Sequence, residues 1–168
     1  MKKRVLLLLP LFLGACSNSG ESPVIKIEKL YVKAESNSDS AKEEDYANKM
    51  DELPALKEGD EVKALLLLDG NGSELKTFTL LNDEEVKAKP KFLTESEIST
   101  EGNLTDESKG QYRFKDGVRQ AKVIVEATVA HVNKDGEVKL SFYLSSKAEC
   151  EGAQEEIGLK TKVDDEKE

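Results

Sequence analysis

Residues 137–145 alternate without a break between two kinds of side chain. Val138, Leu140, Phe142 and Leu144 share one parity, and Lys139, Ser141, Tyr143 and Ser145 share the other. A strand points successive side chains to opposite faces, so the pattern describes a strand with one face in a core and one toward solvent. No helical period persists beyond two turns anywhere in the chain, and no repeat of about 20–50 residues occurs. Whatever core this chain builds is therefore built from strands.

Other segments follow the same logic. Residues 24–34 read as a strand whose parity changes midway: Ile25 and Ile27 share one face, then Leu30, Val32 and Ala34 the other. A bulge near Glu28-Lys29 accounts for the slip and predicts a first strand that switches sheets. Residues 61–68 place Val62, Ala64, Leu66 and Leu68 on one face and Leu65 and Leu67 on the other, as in a central strand covered on both sides. Asp69-Gly70-Asn71-Gly72 is a hairpin signal, with residues 74–81 as the partner strand. Residues 82–90 are polar and end in Pro90, which stops pairing, leaving a short strand at 91–94. A long acidic surface loop covers 95–110. A short edge strand is expected at 111–115, a long or bent strand at 118–133, and a tight turn at Asn133-Lys134-Asp135-Gly136.

About seven short strands with turn signals between them predict an all-β fold. The expected architecture is an antiparallel two-sheet sandwich, Ig-like, with long polar loops. It rests on architecture alone, since the chain has no Trp and no internal cysteine pair of the immunoglobulin kind. A small barrel and an α+β arrangement are the alternatives. The sandwich domain is expected over residues 23–150. Residues 151–168 carry seven acids and three lysines, and are expected to be a disordered acidic tail.

The chain opens differently. Lys2, Lys3 and Arg4 precede an apolar run from Val5 to Leu13, interrupted only by Pro10. The run is too short to cross a hydrocarbon core, which takes about 20 apolar residues. The small residues Gly14 and Ala15 lead into Cys16, which gives the layout of an export signal. Leu13-Gly14-Ala15-Cys16 resembles the lipobox of bacterial lipoproteins. The resemblance covers residues 1–16 and implies a signal peptide at 1–15, removed by cleavage, with Cys16 joined to diacylglycerol. A thiolate is nucleophilic enough to form that thioether, and two or more acyl chains anchor firmly where one does not. Residues 16–22 would then be a flexible tether, and the membrane a partner through lipidated Cys16. Ser17 resembles the pattern sorted to the outer membrane of the bacterial cell envelope rather than to the inner one.

Removing residues 1–15 takes three positive charges with it, so the net charge moves from −9 to −12 over 153 residues. Such a surface repels nucleic acid and anionic headgroups, and no basic stripe stands out along the sequence. Nucleic acid is therefore not an expected partner. If Cys16 carries lipid, Cys150 is left without a partner in the chain, flanked by Glu149 and Glu151.

Chemistry is hard to find. His131 is the one histidine and lacks a cysteine or histidine cluster that would make a zinc site. Asp69, Asn71 and Ser73 begin like a calcium loop, but Glu74 occupies the place of the required glycine and Leu80 that of the bidentate acid. No nucleophile elbow, phosphate-cradling loop or zinc-protease motif occurs, and no cofactor is implied. Tyr143 points away from the core face of its strand. Together with Tyr31, Tyr112 and Phe114 it is a candidate for an exposed aromatic platform. The expected function is a non-catalytic binding or scaffolding module with an envelope protein or a glycan as partner. The alternatives are a glycan or small-ligand binder, and a hydrolase whose acids meet only in the fold. Clustering of the four rings would favour binding; dispersal would favour scaffolding.

Overall fold

The computed structural model describes residues 21–33, 44–94, 97–102 and 104–163. The lipobox residues Leu13, Gly14, Ala15 and Cys16 lie outside them. Eight strands run in order: β1 (Val24–Lys33), β2 (Glu61–Asp69), β3 (Leu75–Asn82), β4 (Val86–Phe92), β5 (Gln111–Arg113), β6 (Gln120–Val129), β7 (Gly136–Ser146) and β8 (Ala153–Thr161). They form two antiparallel sheets of order β1-β2-β6-β4 and β5-β3-β7-β8. The expected two-sheet sandwich is thus what the chain folds into, with one strand more than anticipated. With β5 set aside, β1-β2-β6-β4 against β3-β7-β8 is the strand order of an immunoglobulin constant-type sandwich.

The inner faces supply the core. Val62, Ala64, Leu66 and Leu68 of β2 and Val138, Leu140, Phe142 and Leu144 of β7 are all buried, as their alternation requires. Phe78 of β3 bridges the layers. It stacks on Phe142 at 6.4 Å in its own sheet and meets Phe92 of β4 edge-on at 6.0 Å in the other. Each such side chain removed from water contributes about 1.5–3 kcal/mol.

β1 does contain the bulge, between Ile27 and Lys29, but its effect is the reverse of a sheet switch. The extra residue restores the phase, so that Ile25, Ile27, Leu30 and Val32 all face the core while the whole strand stays paired with β2. Three further expectations are corrected. The Asp69–Gly72 turn is not a hairpin, because β2 pairs with β1 and β6 while β3 pairs with β5 and β7. The local chemistry is still that of a tight reversal: Asn71 and Gly72 both have positive φ, and Ser73 N–H donates to Gly70 O at 3.0 Å. The turn carries the chain from one sheet to the other. Pro90 does not stop pairing, since β4 runs through it opposite Val125 of β6, at a sheet edge where a missing donor costs nothing. Residues 153–161 are not a disordered tail. They form β8, which buries Ile157 and Leu159 against the core.

The segment before β2 is stitched onto this last strand. Leu56 N–H donates to Lys160 O and Lys162 N–H to Leu56 O, both at 2.8 Å, while Leu53 and Leu56 are buried.

Candidate functional site

The outer face of the β5-β3-β7-β8 sheet carries an open groove of about 650 Å³. Strand register builds it. Gln111, Thr79, Tyr143 and Gln154 stand in one row across the four strands, and Arg113, Thr77 and Ser145 in the next. Directly opposed side chains in a sheet lie about 5 Å apart, so these groups converge. The parity that sends Phe142 and Leu144 inward sends Tyr143 and Ser145 out. Tyr143 is 37% exposed at the middle of the groove, and Gln154 Nε2 donates to its hydroxyl at 3.4 Å.

The lining is hydroxyls, amides, the apolar or small Leu144, Gly152 and Ala153, and two cations, Arg113 and Lys76, with no carboxylate. One row along, Glu156 lies 2.7 Å from Lys139 Nζ. The groove can therefore hold a hydroxyl-bearing ligand, neutral or acidic, by stacking and hydrogen bonds. It lacks the two facing acids of a glycosidase.

The four aromatic residues singled out from the sequence are dispersed. Tyr31 stands beside Lys63 on the outer face of the other sheet, where it lines a cavity of about 370 Å³. Phe114 is 1% exposed and meets Phe92 edge-on at 5.8 Å in the core. Tyr112 faces inward beside Phe78, its ring 5.3 Å from Phe92, and burial raises the pKa of its hydroxyl above the usual phenol value. The expected platform is not formed, because Tyr31 and Tyr143 face opposite ways and the other two rings are core. Gln111, Arg113, Thr77, Thr79 and Gln154 were not singled out. Polar residues at alternate strand positions carry no local mark, and β8 was hidden by its acidic composition.

The remaining candidates have structural employment. Asp69 accepts from Asn71 N–H at 2.8 Å and from Gln120 Nε2 at 2.7 Å, so both carboxylate oxygens close the turn. His131 follows β6, half-buried, with its N–H 3.4 Å from Glu85 O. Cys150 is half-buried beyond the end of β7, flanked by Glu149 and Glu151. Glu97 has one carboxylate oxygen buried without a partner, and burial raises its pKa. The absence of a basic stripe is also corrected: lysines far apart in sequence gather on the outer face of the β1-β2-β6-β4 sheet. Among the described residues, no helix is long and apolar enough to cross a membrane.

Residues 16–161 match the protein family described as "Domain of unknown function (DUF5035)". No curated protein matches. Among solved structures, the chain is similar to a family 123 glycoside hydrolase from Clostridium perfringens, from work on glycolipid glycan hydrolysis. The two share 11% identity with a TM-score of 0.42, over 84% of this chain and 27% of that one. The chain therefore spans about a quarter of that enzyme's length.

Proposed function

We propose that this chain, which belongs to the DUF5035 family, is a lipid-anchored, non-catalytic binding module of the bacterial cell envelope. Cys16 is its attachment point, and the groove at Tyr143 is its recognition face. One observation carries the binding half of this reading. An exposed tyrosine sits among Gln111, Gln154, Thr77, Thr79 and Ser145 with no carboxylate in the lining. A ring face and a set of neutral donors and acceptors suit a sugar, and Arg113 and Lys76 in the lining accommodate acidic groups on it, so the ligand class is a glycan. Dispersal of the four rings by itself favours scaffolding, so the binding reading rests on the polar lining around Tyr143 alone, with stacking limited to that one ring and modest affinity. The anchoring half is supported by the likeness of Leu13-Gly14-Ala15-Cys16 to a lipobox.

Two measurements test the two halves. Intact-mass analysis of the membrane fraction, without reductant, should show the chain from Cys16 onward carrying acyl mass. A chain that carries no acyl mass, or that is recovered freely secreted, would overturn the anchor. For the groove, calorimetry against neutral and acidic oligosaccharides should find binding that Tyr143→Ala weakens by about tenfold, the scale of one lost ring contact. Tyr31→Ala should leave it unchanged. Equal effects of the two substitutions, or no binding by the wild type, would sink the groove assignment.

A further inference from the structure

The net charge of −9 conceals a strongly asymmetric surface. On β4 the outward positions are Lys87, Lys89 and Lys91. Register places them beside the outward positions of β6, among them Lys122, and those in turn beside Lys63 on β2. β1 adds Lys26, Lys29 and Lys33 on the same side, kept in phase by the bulge. Eight lysines thus share one sheet face. Against them stand Glu61, Asp69, Glu126 and the bulge residue Glu28, an excess of four positive charges. Lys33, Lys63 and Lys122 pair with Glu61, Glu126 and Glu28, and Lys29 with Asp45 from the loop beyond β1. Lys26, Lys87, Lys89 and Lys91 have no carboxylate partner among the described residues. Between the lysine columns Leu65, Leu67 and Ile124 are only half-buried, which makes an apolar strip framed by cations.

Protection of sheet edges explains some of this, since lysine and proline on an edge discourage pairing with other chains. It does not explain Lys63 and Lys122, which lie on the two central strands. The edges of the other sheet are mixed rather than lysine-rich: β5 carries Gln111 and Arg113 outward, and β8 carries Gln154, Glu156 and Lys160.

We infer that this face is a docking surface for the phosphate headgroups of an anionic bilayer. Three features favour a membrane. The face is an open sheet of roughly 15 by 25 Å, broad enough to lie on a plane. Lysine stems around half-exposed leucine and isoleucine match the boundary between headgroup and acyl chain. The sheet also contains β1, the strand that continues from the tether. The acidic remainder of the chain is no obstacle. The opposite sheet lies about 10 Å further out, beyond a Debye length of about 8 Å at physiological salt. In a sandwich the outer faces point in opposite directions, so docking this one turns the Tyr143 groove away from the membrane. This orientation builds on the anchored reading, but lysine binding does not need the lipid, and the two can fail separately.

The test uses residues 16–168 with Cys16→Ser, which retains all eight strands and cannot be acylated. Co-sedimentation with vesicles of phosphatidylcholine and phosphatidylglycerol should show binding at low salt. Binding should be lost at high salt and on pure phosphatidylcholine. Lys87→Glu, Lys89→Glu and Lys91→Glu together should weaken it about a hundredfold. Lys109→Glu, Lys115→Glu and Lys134→Glu, an equal charge change off the face, should do far less. Circular dichroism would confirm that both triple variants fold. Failure to bind anionic vesicles, equal loss in the two triple variants, or binding to soluble polyphosphate in place of vesicles would each overturn the proposal.

Discussion

Glu28 is the extra residue of the β1 bulge, and its carboxylate lies 2.7 Å from Lys122 Nζ, two strands away. The bulge and the ion pair differ greatly in consequence. The pair is solvent-exposed and worth less than about 1 kcal/mol. The bulge decides which side chains enter the core, because Leu30 and Val32 face inward only if one residue is left out of register. Deleting Glu28 alone removes the bulge and leaves Ile27, Lys29 and Leu30 in regular alternation, so it should cost under about 1 kcal/mol. Deleting Glu28 and Lys29 together turns Leu30 and Val32 outward and should cost about 3–5 kcal/mol. Urea unfolding of the two deletion variants measures the difference; similar midpoints would refute this account of the strand.

Asp45 supplies an acid-sensitive clasp on the same strand. Its carboxylate lies 2.8 Å from Lys29 Nζ and accepts from the N–H groups of Leu30 at 3.0 Å and Ala47 at 3.1 Å. The Lys29 hydrogen bond, then that of Leu30, holds its pKa down at about 2 against an ordinary 3.8. A depressed carboxyl stabilises the fold above its unfolded pKa and ceases to do so as pH falls through the folded value. Stability should therefore decline as pH falls from about 4 toward 2. Asp45→Asn should shallow that decline and cost about 1 kcal/mol at neutral pH. Asp106, also held at about 2 by Lys109 and Ser108, leaves a residual slope. An unchanged acid limb in thermal melts from pH 2 to pH 7 would count against the clasp.

Truncation separates a strand from a tail. Stopping the chain at residue 152 removes Ile157 and Leu159, both essentially fully buried, and exposes the flank of β7. That chain should not fold cooperatively, because the two side chains alone contribute about 3–6 kcal/mol. Stopping at residue 163 should leave the melting temperature within about two degrees. Cooperative melting of the shorter chain at the wild-type temperature would contradict the core assignment of β8.

Gly110 governs the edge of the groove. It has φ of +64° and lies so close to β3 that an added Cβ would meet Leu80 O at 2.0 Å. Its own carbonyl accepts from Leu80 N–H at 2.9 Å. Gly110→Ala must push β5 off β3, at about 2 kcal/mol or more. It should also weaken any ligand held by Gln111 and Arg113. Gly117→Ala, at a similar positive φ but with open space around the Cβ position, should cost only about 1 kcal/mol. The two melting temperatures check the contrast, and equal shifts would refute it.

What could be read in advance divides along a physical line. Alternation is a local property, so the inward set of β7, the bulge at Glu28 and the outward aim of Tyr143 were legible from neighbouring residues. Pairing is not local. Gly70, Asn71 and Gly72 promised a reversal and delivered one, yet the reversal joins two sheets, because partner choice depends on which faces can close a common core. Composition misled at the C-terminus: acids at 151, 155 and 156 masked the alternation of Ile157, Leu159 and Thr161.

The amino-acid order by itself determined that the chain is built of strands, which side of most strands is apolar, and where the backbone reverses. Only the tertiary structure decided that Gln111, Thr79, Tyr143 and Gln154 share a row and that Lys26, Lys63, Lys89 and Lys122 share a face. A period of two is written between adjacent residues. A surface is assembled by hydrogen-bonded register between strands up to about a hundred residues apart, and no short stretch of sequence contains it.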